Sequence, residues 1–472
     1  MTFKVDFMDE AVVEWTRTAG GVARTRVTDY QPSIYVEGPD DARADLAAAL
    51  DADPKVAATA TEAWYTRLRH DERTPVLRVD LDRPSEVRTL AREIRHHHER
   101  GSYKPGTYRL YNVDFAPQFR YCLATDTTPV PDVPLSTFSI RIDEKPLADR
   151  DITTLELDGE VVRAAEDVML ETVQARLREA DPDVLVCNDA HLIPVLFEAA
   201  ADHDVSAFQL GREPGYQQLA GESTFESYGR VGHSAARYDV PGRVIIDESN
   251  SFLWSQTTLE GLLDLVAHSW KPLQETAWGS IGNILTAIQM REALARGVLV
   301  PWNKWEPEFF KDARTLHAAD RGGFTFAPEV GLHEDVVEVD FASLYPRIMV
   351  EYNISPDTIC CDCHADREDV PTLGYTVCDE RGFLPDVLAP LIADRADYKA
   401  AARDGDEAAA AKADALKWIL VACFGYQGYR NAKFGRIECH EAINAFAREI
   451  LLSAKQRLEA GGTTPSLEQF NT

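Results

Sequence analysis

Polar and apolar residues alternate over Met1-Thr-Phe-Lys-Val-Asp-Phe7, and Ile34-Tyr-Val36 and Val76-Leu-Arg-Val-Asp-Leu81 also read as strands. A period of two marks a strand with one buried face. Residues 42–50 and 84–99 read as helices, so residues 1–120 predict an N-terminal α+β domain. Arg243-Val-Ile-Ile-Asp247 predicts a core strand, and Gln289-Met-Arg-Glu-Ala-Leu294 the close of a helix. Leu388, Leu391, Ile392 and Tyr398 recur at helical spacing, and Asp404-Gly405-Asp406 follows as a turn between two antiparallel helices. Another helix is predicted over 440–458, stopped by Gly461-Gly462. Between these, Val336-Val-Glu-Val-Asp340 predicts a buried strand that ends on a carboxylate, with Ser343-Leu-Tyr-Pro346 close behind. A strand that delivers one Asp to a cleft fixes a metal ligand on a rigid element, and the N–H groups of the turn suit a polyphosphate.

Composition sets outer bounds. At 472 residues and 45% hydrophobic content, two to four ordinary domains are expected. No apolar run approaches the roughly 18 residues of a membrane span, and the N-terminus lacks a signal pattern. A soluble, cytoplasmic protein with no membrane partner is expected. The net charge of −29 runs against nucleic-acid binding, which relies on Lys and Arg to release counterions. Acid spread along the whole chain instead suits a high-salt cytoplasm, where the Debye length falls to about 3 Å at 1 M. The eight cysteines are expected to be reduced. Cys361, Cys363, His364 and Cys378 have spacings that admit a zinc site, although they fit no standard pair. Small buried thiols are the other reading. His96-His-His98 reads as a solvated helix end, since adjacent residues point apart around a helix.

The stretch Asp340-Phe-Ala-Ser-Leu-Tyr-Pro346 resembles motif A of family B DNA polymerases. The resemblance implies that Asp340 binds both catalytic Mg²⁺ ions and that the Phe341 carbonyl adds a ligand. Ser343 and Leu344 would hold the triphosphate by their backbone, and the Tyr345 ring would exclude a ribose 2′-hydroxyl. Lys417-Trp-Ile-Leu-Val421-Ala-Cys-Phe424-Gly425-Tyr426 resembles motif B. There Lys417 would meet the triphosphate, Gly425 would let a base pair approach and Tyr426 would lie near the template. Val421, Ala422 and Phe424 depart from the family's Asn, Ser and Tyr. On the first helix of the predicted pair Arg395 fits the family's phosphate-binding Arg, with Lys399 one turn beyond. Gly322 and Gly323 resemble the connector that approaches DNA, with Asp320 in place of the family's Tyr.

The segment from Tyr121 to Asn283 has the layout of the family's ribonuclease-H-like 3′–5′ exonuclease domain. Ser139 and Arg141 stand where Asp-x-Glu is expected. Asn188 is kept with no Asp at the ligand position of Asn-x-x-x-Phe-Asp, Asp143 and Asp189 being nearby acids at other offsets, and Trp278 and Gly282 replace the Tyr and Asp of the third motif. Without those carboxylates a hard cation has no cage, as in a minor archaeal branch with eroded exonuclease sites. The implied fold is a multidomain α/β protein. It has an N-terminal domain (1–120), an exonuclease-type domain (121–290), a connector (291–335) and palm with motif A (336–380). Helical fingers (381–430) and an incomplete palm with tail (431–472) follow. No Asp-Thr-Asp hairpin follows motif B, so this chain is expected to be truncated and to polymerise poorly alone. Deoxynucleoside triphosphates, a DNA primer–template and a sliding clamp or complementary polymerase fragment are the implied partners. A catalytically inactive DNA-binding homologue and one half of a split polymerase are the alternative expectations.

Overall fold

A computed structural model describes residues 1–472 except 9–10, 70–71, 206, 228–229, 305–307, 320, 324–329, 365–366 and 462–472. The chain forms two compact units, one of Met1–Pro32 and Phe115–Ser280, the other of Ser33–Asp114 and Ile281–Thr472.

The first unit is built on a five-stranded sheet, in the order Glu160–Arg163, Thr154–Leu157, Thr137–Arg141, Val184–Cys187 and Val244–Asp247. Its last three strands run parallel and its first two pair antiparallel. Val184–Cys187 and Val244–Asp247 are buried throughout, as continuous runs must be in parallel strands covered on both faces. Helices Glu166–Ala180 and Leu192–Asp202 contribute Met169, Leu170, Val173, Ile193 and Leu196 to the same core. The result is a mixed sheet with helices packed on it, an α/β unit.

A second, three-stranded sheet of Thr2–Met8, Ala11–Thr18 and Gly21–Val27 belongs to this unit and not to a separate N-terminal domain of residues 1–120. Polar side chains explain the correction. Lys4 is buried, and its Nζ donates to Asp239 Oδ1, Val240 O and Arg243 O at 2.6 Å each. Asp6 Oδ2 accepts from Trp15 Nε1 and from the Gly242 N–H, both at 2.8 Å. A buried ion held by three partners is strongly destabilising to separate from them.

In the second unit, residues 33–114 form a four-stranded antiparallel sheet, ordered Val56–Trp64, Thr74–Leu81, Ser33–Glu37 and Arg109–Tyr111. Helices Asp40–Leu50 and Val87–His96 cover it. Residues 297–302 run along this sheet: Leu299 N donates to Tyr65 O at 2.8 Å, and Val300 exchanges bonds with Asn112 at 2.8 and 2.9 Å. The stretch expected as a connector therefore ties that sheet to the helices that follow.

Those helices are Ile281–Ala295, Ala313–Ala319, Leu344–Glu351, Phe383–Arg403, Glu407–Gly428 and Ile437–Ala460. The expected hairpin is present. Gly405 closes its turn with φ of 98°, and Asp406 caps the next helix by accepting from Ala409 N at 3.0 Å. Residues 336–340 overturn an expectation, because they form no strand. Val336, Val337 and Val339 are 72%, 80% and 59% exposed. An alternating pattern makes a strand only where another edge accepts its hydrogen bonds, and none pairs with it among the described residues. No helix among the described residues is long and apolar enough to cross a membrane.

Candidate active site

Ser343 leads the chain into the helix Leu344–Glu351 through a left-handed conformation, φ 55° and ψ 49°. For a residue with a β-carbon that costs roughly 1–2 kcal/mol, so the turn must be held from outside. Arg395 reaches it from the helix Phe383–Arg403, with Nη1 3.3 Å from Ser343 Oγ and Nε donating to Ala413 O at 3.2 Å. One guanidinium thereby joins the motif A turn to both helices of the hairpin. Burial lowers the Arg395 pKa while the Asp414 carboxylate works the other way. An Arg stays charged through such shifts.

The Tyr345 ring stacks on Phe424 at 4.3 Å and 24°, and Phe424 stacks on His440 at 4.1 Å and 20°. Three elements are thus pinned by one column of rings. Phe424 is buried, so the Phe that replaces the family's Tyr still fills its place by stacking. The Tyr345 hydroxyl is buried without a hydrogen-bond partner among the described residues, and burial raises its pKa. His440 sits with Nδ1 3.4 Å from Phe424 O, and burial lowers its pKa.

Leu416, Ile419, Leu420 and Cys423 bury one side of the helix Glu407–Gly428. Lys417, Val421 and Gly425, four residues apart, share the exposed side. The Lys417 ammonium lies 5.7 Å from the Trp418 ring. Val421 is exposed where the family has Asn, so that stripe lost a polar group and gained an apolar one. Lys399 is exposed on the first helix of the hairpin.

Asp340 and Phe341 line a cleft of about 650 Å³ with Tyr352, Glu449, Ser453 and Arg457. Asp340 is exposed there, outside any helix or strand. Gly322 adopts φ 58°, and its carbonyl accepts from Arg448 Nη1 at 2.7 Å; Gly323 is exposed. Asp320 lies outside the described residues. Tyr426 is half-buried against Gly282. Its phenol fills the space where a side chain at Gly282 would begin, with Oη 1.3 Å from the position of a β-carbon there.

In the first unit Arg141 holds Glu248 with both terminal nitrogens, at 2.5 and 2.8 Å, and Trp254 Nε1 donates to the same carboxylate at 3.2 Å. A guanidinium therefore occupies the strand position where an acid was expected. Asn188 bonds the backbone N–H and C=O of Ile142 at 3.0 and 2.7 Å, a purely structural use. Asp189 is engaged by His191, through its backbone N–H and Nδ1 at 2.9 and 2.8 Å. Burial works to lower the His191 pKa, but Asp189 and Glu222 outweigh it and raise it.

Cys361, Cys363 and Cys378 come together, while the side chain of His364 lies outside the described residues. Sequence reasoning missed His440 as the end of the ring column, Glu248 as the partner of Arg141, and the Gly282–Tyr426 contact. Each joins positions on separate elements, and no local periodicity signals them. The nearest clue was the mismatched Phe424, since an apolar ring in a polar motif needs another ring to stack against.

The family model for DNA polymerase family B matches residues 283–471. DNA polymerase 2 of Saccharolobus solfataricus is 33% identical over 210 residues, which cover 44% of this chain and 32% of that protein. DNA polymerase 1 of Pyrococcus abyssi is 30% identical over 198 residues, 41% of this chain and 25% of its own length. The match thus spans about a third or less of these curated relatives. The solved family B DNA polymerase from Pyrobaculum calidifontis superposes with a TM-score of 0.70 at 20% identity, over 97% of this chain and 72% of that one. That likeness shows the fold, and the sequence match carries the motifs. Residues 283–471 are thus similar to DNA polymerase family B in sequence, and nearly the whole chain shares the fold of one solved member of that family.

Proposed function

We propose that this chain carries the nucleotide-handling face of a DNA-directed DNA polymerase, acting on deoxynucleoside triphosphates and a primer–template. The observation that carries this reading is the union of the motif A turn with the helical hairpin, through Arg395 on Ser343 and Tyr345 on Phe424. Arg395 and Lys417 would supply positive charge for the phosphates, and the Tyr345 ring would meet the sugar. Its orphaned buried hydroxyl would be relieved by a polar ligand group. Exposed Gly425, Gly322 and Gly323 leave backbone open to DNA. Tyr426 could join them only after leaving Gly282.

The Asp340 carboxylate and Phe341 carbonyl are hard oxygen donors on an open cleft whose wall includes Glu449. That donor set suits Mg²⁺. Bound there, the ion would supply positive charge to the attacking 3′-oxygen and the leaving pyrophosphate. With Arg141 and Ser139 at the expected acid positions, we infer that the exonuclease-type unit serves folding and DNA contact without proofreading.

Binding of a fluorescent deoxynucleoside triphosphate, read by anisotropy, and primer extension with Mg²⁺ test this proposal. Arg395→Ala and Lys417→Ala should each weaken binding roughly 10- to 150-fold, since a charge-assisted contact contributes roughly 1.5–3 kcal/mol. Asp340→Ala should abolish any extension seen. Wild-type affinity in both cation variants, or undiminished extension by Asp340→Ala, would overturn the proposal.

A further inference from the structure

From the thiol geometry we infer that Cys361, Cys363 and Cys378 form a structural site for a soft divalent cation, zinc in the cell. The site does not depend on the polymerase reading. The three sulfurs lie within 4.8 Å of one another, and Cys363 Sγ stands 3.6 Å from Cys378 Sγ. Thiolates bound tetrahedrally to zinc, each about 2.3 Å from the ion, stand roughly 3.8 Å apart. The Cys363–Cys378 pair has that spacing, and the third thiol's distances lie within about an ångström of it. None of the eight cysteines is in a disulfide, and Cys360, beside these in sequence, is not part of the group.

The frame around the thiols is built to hold them. Ile359 and Val377 form an antiparallel bridge. Cys360 N donates to Thr376 O at 2.8 Å and Cys378 N to Thr358 O at 3.0 Å. A short 3₁₀ turn, Asp362–His364, then swings Cys363 back beside Cys378. Thr376 Oγ1 donates to Cys361 O at 2.8 Å, and Asn353 Nδ2 to Cys378 O at 2.8 Å, which fixes both ends of the ribbon. Cys361 is buried and Cys363 exposed, so an ion can enter from one side. Three thiolates and a divalent cation carry one net negative charge, and the Arg69 guanidinium, 3.6 Å from Cys363 Sγ, offsets it. A fourth position is left for water or a further donor. Binding converts three thiols to thiolates and releases a proton from each, with no electrons transferred.

The ribbon joins the helix that carries Tyr345 to the helix that carries Arg395. A metal here would clamp the base of the candidate site without touching substrate.

Elemental analysis of the purified full chain, followed by replacement with Co²⁺, tests the inference. We expect one zinc per chain and, with Co²⁺, an intense thiolate-to-metal charge-transfer band. The band should be lost in Cys363→Ser and Cys378→Ser and kept in Cys122→Ser. Arg69→Ala should keep the band but weaken Co²⁺ affinity roughly 10- to 100-fold, as removing an outer-shell partner does. Circular dichroism of Cys363→Ser separates lost binding from lost fold, since that side chain is exposed. Metal-free protein with no charge-transfer band overturns the inference, whether mass spectrometry finds three alkylatable thiols or a Cys363–Cys378 disulfide.

Discussion

Gly282 is the position where the third exonuclease motif would place its acid, and the structure states what a side chain there would meet. A β-carbon built on it lies 1.3 Å from Tyr426 Oη, 1.8 Å from Cζ and 2.4 Å from Cε2. No shift of a few tenths of an ångström relieves those contacts, so in Gly282→Ala the ring has to leave. The ring would lose its edge contact with Tyr429, at 5.8 Å and 60°, which is worth about 0.5–1.5 kcal/mol. It would also lose part of its burial, about 1 kcal/mol for a half-buried ring. Against this, alanine in place of glycine in the helix Ile281–Ala295 gains up to about 1 kcal/mol, less near the helix start. The expected net loss is about 1–2 kcal/mol.

Urea denaturation of wild type, Gly282→Ala, Tyr426→Ala and the double variant forms the assay. In the Tyr426→Ala background the clash is gone and only helix propensity remains. There Gly282→Ala should be neutral or stabilising by up to about 1 kcal/mol. The coupling between the two positions is then roughly 2 kcal/mol, large for a contacting pair and well above the scatter of additive sites. Equal effects of Gly282→Ala in both backgrounds, or stabilisation in both, would refute the reasoning. Such a result would free Tyr426 for the template role that its sequence position first implied.

Two other outcomes follow from charge. Burial holds the His440 pKa below its ordinary value, so the folded chain resists a proton that the unfolded chain accepts near pH 6.5. The His440 contribution to stability is full above about pH 6.5, falls as pH drops towards the folded pKa, and levels off below it. His440→Phe keeps the ring column, so the difference in urea midpoint between it and wild type should carry this slope. A pH-independent difference would contradict it. The net charge of −29 predicts that KCl raises the unfolding temperature from dilute buffer to molar salt, as screening shortens the Debye length to about 3 Å at 1 M. A midpoint that is flat or falls with salt would remove the case for salt adaptation.

What could be read without coordinates divides along a physical line. Asp340-Phe-Ala-Ser-Leu-Tyr345 was legible as a candidate site because its carboxylate, turn and ring come from one contiguous run, with chemistry written in residue type. The hairpin around Gly405 was legible for the same reason, since periodicity and turn chemistry are local. The Val336–Asp340 run shows where locality fails. Alternation states which face a strand would bury, but only a hydrogen-bonding edge from elsewhere makes the strand, and the described residues offer none. Thr2–Met8 failed in the opposite sense. Its alternation implied that Lys4 and Asp6 face water, yet both are buried against residues 239–243, which moves residues 1–32 into the first unit. His440 belongs to this second class, because its role exists only once Phe424 stands between it and Tyr345. Residue type thus announces what a site does, while the contacts that orient it arise between distant segments. For this chain the sharpest functional questions therefore lie at Arg395–Ser343 and Tyr426–Gly282, where such contacts decide which face of the helix Glu407–Gly428 is open to a nucleotide.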